Sequence, residues 1–76
     1  MMVDRYGEPR PGFAAWLLLQ KDREDAVGRL AQIARSDRSF PRDGDADAVR
    51  AHLNRMQADG ESFEAVDDAE TDWLSY

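Results

Sequence analysis

Between Phe13 and Pro41 the chain reads FAAWLLLQKDREDAVGRLAQIARSDRSFP, two apolar patterns of helical period closed by a Phe-Pro turn. Phe13, Trp16, Leu17 and Gln20 recur at i, i+3, i+4 and i+7, which places them on one face of a helix. Val27, Leu30, Ala31 and Ala34 repeat the pattern in the next segment, with Ile33 at its edge. A period near 3.6 does not suit a strand, so the expectation is all-α. With 76 residues there is room for one hydrophobic core. No cysteine is present, so neither disulfides nor a thiolate-bound metal can supplement that core. Packing between helices must hold the fold.

Four helices are expected. The first covers roughly 12–21; Leu18 and Leu19 lie off its stripe. A helix apolar on most sides is usually central in its bundle. The alternative is a docking patch exposed around Leu18. The second helix covers 25–36, capped by Asp25, with Gly28 letting another helix approach. Pro41 drives Phe40 out of the α region, so the chain turns there and Phe40 can plug the bundle. The third helix covers 46–58, capped by Asp45 or Asp47, with Gly60 just past its end. Ala46, Val49, Leu53 and Met56 form its inward stripe. The fourth starts near Ser62 as N-cap and turns Phe63, Val66, Trp73 and Leu74 inward, with Glu70 at the rim reaching an arginine. Trp16, Leu30, Leu53 and Trp73 should meet in one core. Residues 1–12 hold two of the three prolines and two of the five glycines and read as an irregular lead-in, packed down by Tyr6.

The order of these residues resembles the YozE-like family, small bacterial helical domains described as SAM-like. Phe13-x-x-Trp16-Leu17 with Gln20 opens the match, followed by Arg23-x-Asp25-x-Val27-Gly28-x-Leu30-Ala31. Phe40-Pro41, a helix around Val49 and Leu53, Phe63 and the closing Trp73-x-x-Tyr76 complete it over residues 13–76. His52 stands where the family often carries an aromatic, and the lead-in is longer. The resemblance implies a compact unit of four or five helices. It implies no activity.

Four groups of residues invite a chemical reading. Asp43-Gly44-Asp45-Ala46-Asp47 has the rhythm of a calcium loop, but the sixth and twelfth positions are Ala48 and Asn54 rather than glycine and glutamate. A polar turn that caps the third helix is the favoured reading, and no metal is expected. His52 is the single histidine, and no serine sits in a glycine-rich elbow. A partly buried structural histidine is favoured over a general base. Glu64, Asp67, Asp68, Glu70 and Asp72 make the fourth helix acidic, a solvated face with docking potential for a basic partner. Arg29, Arg35, Arg38 and Arg42 follow the second helix and its exit turn and have the chemistry to grip phosphates. Pairing within the domain, against the acidic helix, is preferred for them. No phosphate loop or dinucleotide fingerprint occurs, and no cofactor is expected.

Charge narrows the choice of partner. The net charge is −6; residues 1–55 carry ten basic and nine acidic side chains, and residues 56–76 carry seven acidic and none basic. Such a field opposes non-specific binding to nucleic acid. The longest apolar run, Phe13 to Leu19, is far too short for a bilayer, and no basic region followed by an apolar stretch opens the chain. The expected function is a small, non-enzymatic, cytoplasmic module that binds another protein through Leu18 or through Glu64, Asp67 and Asp68. The alternative is a nucleic-acid-binding accessory domain using Arg29, Arg35, Arg38 and Arg42.

Overall fold

Three aspartates start three of the four helices. The Asp25 carboxylate accepts from the Gly28 N–H at the head of α2 (Ala26–Ser36), and Asp45 accepts from Ala48 at the head of α3 (Ala46–Arg55). Asp59 accepts from Ser62 at the head of α4 (Gly60–Leu74), whereas α1 (Phe13–Leu18) follows Gly12 without a side-chain cap. Each carboxylate satisfies an N–H that the helix itself cannot, at the positive end of the helix dipole. The computed structural model describes residues 11–75, and among them no strand occurs. The expected roles of Tyr6 and Tyr76, and the character of residues 1–10, lie outside the described residues.

Several boundaries differ from expectation, each for a local reason. Ser62 is not the cap of α4; both its N–H and its hydroxyl donate to Asp59 Oδ1, so the helix begins earlier and Gly60 opens it. Past Leu18 the chain tightens into i→i+3 turns, Leu19 to Trp16 and Gln20 to Leu17, and the Gln20 amide also donates to the Trp16 carbonyl at 3.1 Å. α3 stops at Arg55 because Gln57 adopts φ 55°. The Ala58 N–H then closes on the Leu53 carbonyl at 3.0 Å and the Gln57 N–H on Asn54 at 3.1 Å, a left-handed helix stop. Met56, leaving the spiral, is 58% exposed instead of inward, and Leu74 at the end of α4 is equally exposed.

The core joins Phe13, Trp16, Leu17, Leu30, Phe40, Val49, Leu53 and Val66, with Trp73 and Phe63 partly buried against it. Phe13 meets Trp73 edge-on, ring centroids 5.9 Å apart, and Trp73 Nε1 donates to the Pro11 carbonyl at 3.0 Å. That bond ties the end of α4 to the start of the described chain. Leu18 belongs to this core, being 8% exposed, and the leucine that faces outward is Leu19. What approaches Gly28 is not a helix but the turn before α2: a Cβ there would lie 1.8 Å from the Arg23 carbonyl oxygen.

Helix α4 packs against all three others, and α1 does likewise. Helices α2 and α3 do not pack on one another.

Candidate interaction surface

The separation of α2 from α3 leaves an apolar cleft of about 210 Å³. Leu30, Ala34, Phe40 and Leu53 line it from the core side. Ile33 on α2 and Met56 at the end of α3 stand on its walls, 63% and 58% exposed. Ala58 and Ser62 lie along its other margin. A second hollow of about 190 Å³, between α2 and the start of α4, shares Leu30, Ile33 and Ser62 with the first. The two therefore form one groove along α2, from Ala26 to Asp37. At 1.5 Å per residue that length is about 16 Å, three turns of a helix.

A polar tie crosses the cleft. His52 Nε2 lies 2.7 Å from Asp37 Oδ2, and the imidazole meets the Phe40 ring edge-on at 5.9 Å. An ionised carboxylate only accepts, so Nε2 carries the proton in that bond. The bond from His52, and then one from the Ser39 N–H, hold the Asp37 carboxyl below its ordinary value; the Arg42 charge adds a smaller pull. His52 is 3% exposed and therefore buried outright, more so than expected. It braces α2 against α3 where the helices themselves do not touch.

The charged candidates are divided by the fold. Asp67 is held by Arg50 at 2.7 Å, and Glu70, as expected, meets an arginine, again Arg50, at 2.8 Å. These bonds, Glu70 first, raise the Arg50 pKa and keep it charged. Glu64 and Asp68 are exposed and form no ion pair among the described residues. Of the four arginines expected to pair with α4, only Arg29 does so, meeting Glu61 at 2.7 Å. Arg42 donates instead to the Arg35 carbonyl at 3.3 Å, and Arg35 and Arg38 meet no carboxylate among the described residues. Two further cations clamp α4 beside Arg29: Arg23, through Asp72 at 2.9 Å, and Arg50. A polar hollow of about 300 Å³ beside Arg23, Asp25 and Asp72 is lined by these pairs. Among the described residues no three acidic or histidine side chains converge as a metal site, and no helix is long and apolar enough to cross a membrane.

A family model described as YozE SAM-like fold matches residues 12–76. The chain belongs to the YozE SAM-like family. No curated protein and no solved structure matches it. The residues that carry the YozE pattern are mostly those of the core and the caps: Phe13, Trp16, Leu17, Asp25, Gly28, Leu30 and Phe40. Ile33 and Met56, which shape the cleft, were assigned by sequence to the edge and the inside of their stripes. The offset of Ile33 from its stripe was the available signal. The pairing of Asp37 with His52 had none, since fifteen positions separate them.

Proposed function

We propose that this YozE SAM-like domain is a non-enzymatic module that binds another protein in the bacterial cytoplasm, through the cleft between α2 and α3. One observation supports the choice of surface. Two large apolar side chains, Ile33 and Met56, are more than half exposed on the walls of a cleft backed by core residues. Apolar area that an element leaves uncovered gains roughly 25 cal/mol per Å² when a partner covers it. The helix 1 surface is a poorer choice, because Leu18 is buried and Leu19 stands without a cleft. The test is a pull-down from the source cell with the wild-type domain and with Ile33→Asp, helicity being matched by circular dichroism. The reading expects a stoichiometric protein partner that the variant loses. A partner retained at full yield by Ile33→Asp would refute it.

The nucleic-acid reading keeps a specific support in Arg35 and Arg38, which meet no carboxylate among the described residues. It takes second place because phosphates make no use of the apolar walls.

A further inference from the structure

The charges that line the groove are few and one-sided. Across its two hollows they are the carboxylates of Asp37, Asp59 and Glu61 against the guanidinium of Arg29. Arg29 is already engaged by Glu61 at 2.7 Å. The arginines that meet no carboxylate among the described residues, Arg35, Arg38, Arg42 and Arg55, line neither hollow. The two ends of the groove also differ. At one end both oxygens of Asp37 are taken, by His52 Nε2 and by the Ser39 N–H, and the Arg42 charge acts there. At the other end Asp59 receives Ser62 through Oδ1 alone, and Glu61 receives Arg29 through Oε1 alone. Their second oxygens accept no hydrogen bond among the described residues. Both side chains are exposed and border the hollow that shares Ile33 with the apolar cleft. The exposed apolar wall therefore gives way to acceptors with spare capacity, beside a cation that is already paired.

We propose that the groove receives a short basic amphipathic segment of a partner protein, whose large apolar side chains cover Ile33 and Met56 and whose lysine or arginine reaches Asp59 and Glu61. This rests on the reading of the domain as a protein-binding module and names what the partner presents. A groove of about 16 Å admits three turns of helix. That is enough for apolar anchors one turn apart, with a cation a further turn along. The net charge of −6 adds attraction to a basic segment at longer range. A second copy of the chain is the poorer occupant, because it brings the same net charge.

The experiment is selection of a displayed random peptide library on the immobilised full chain at about 0.15 M salt. Counter-selection uses Ile33→Ser, which shortens the wall without changing the charge. Peptides that need Ile33 are expected to carry large apolar residues with Lys or Arg about one turn away. The combined Asp59→Asn and Glu61→Gln variant keeps an acceptor for Ser62 and for Arg29 but removes both charges. It should bind those peptides roughly three- to tenfold more weakly, as for one or two exposed ion pairs. Peptides whose basic residues are changed to Gln should not distinguish this variant from the parent. Ile33-dependent peptides without basic enrichment, or indifferent to the amide variant, would overturn the inference and leave the interaction module standing. A library yielding no Ile33-dependent peptide would overturn both. Dimerisation of the chain alone that Ile33→Ser abolishes, read by analytical ultracentrifugation, would give the groove to a second copy and likewise overturn the proposal.

Discussion

A methyl group at Gly28 would stand 1.8 Å from the Arg23 carbonyl oxygen and 2.6 Å from its carbon, both backbone atoms that cannot swing aside. Gly28→Ala gains about 1 kcal/mol of helix propensity. The overpacking acts against it and is the larger effect, about 1–3 kcal/mol. We expect a net loss of stability, read as a lower urea midpoint, and an unchanged or raised midpoint would count against the close approach. That glycine was visible in the sequence, but not what it accommodates, because a turn that folds back on its own helix leaves no periodic trace. The acid response also belongs to single residues. Asp25, bonded first to Arg23 and then to the Gly28 N–H, and Asp37, bonded first to His52, are both held below the ordinary carboxylate value of 3.8. A depressed pKa means that the unfolded chain binds more protons, so the stability present at neutral pH is lost as pH falls below about 4. Asp37→Asn keeps an acceptor for His52 but removes the charge. Its urea midpoint should fall less than the parent's between pH 6 and pH 3, and identical losses would contradict the assignment.

Gln57 ends α3 in a conformation that favours glycine, with φ 55°. Relief of left-handed strain is worth about 1–2 kcal/mol, and the added freedom of an unfolded glycine takes back about 0.4–1 kcal/mol. Gln57→Gly should therefore raise the melting midpoint by the remainder, and a lowered midpoint would show that the strain is absent. Helix existence and inward faces were legible from periodicity, because Val27, Leu30 and Ala31, or Val49 and Leu53, repeat often enough to outweigh noise. Helix ends were less so. Asp59, Gly60 and Ser62 all carry end signals, and only their geometry shows that Asp59 caps and Ser62 follows. The α3 stop was hidden for the converse reason, since a glutamine holds the position that a glycine would have advertised. The cleft depends on α2 and α3 failing to touch, a relation between elements that no single stripe encodes.

At the scale of the molecule the electrostatics are lopsided, and that fixes how the protein should meet polyanions. Seven acidic residues crowd residues 56–76, and the described arginines that meet no carboxylate among the described residues lie at the end of α2, the turn behind it and the end of α3. Three phosphate contacts by Arg35, Arg38 and Arg42 would give a slope of about −2.7 in log K against log salt. We expect no shift of a short duplex by micromolar protein at 0.15 M salt, and a clear shift would move the nucleic-acid reading ahead. The net sign of this field was readable from composition, whereas the division of the described arginines into those that meet a carboxylate and those that do not required knowing which of them faces α4. The Trp73–Pro11 bond carries a last consequence. Two points 62 positions apart in sequence are neighbours in space. A load applied at those two points would peel the last turn of α4 away from the incoming chain contact by contact, instead of shearing four helices at once. The domain should yield to small forces, and a host protein whose loop accepted it would find its own chain leaving close to where it went in.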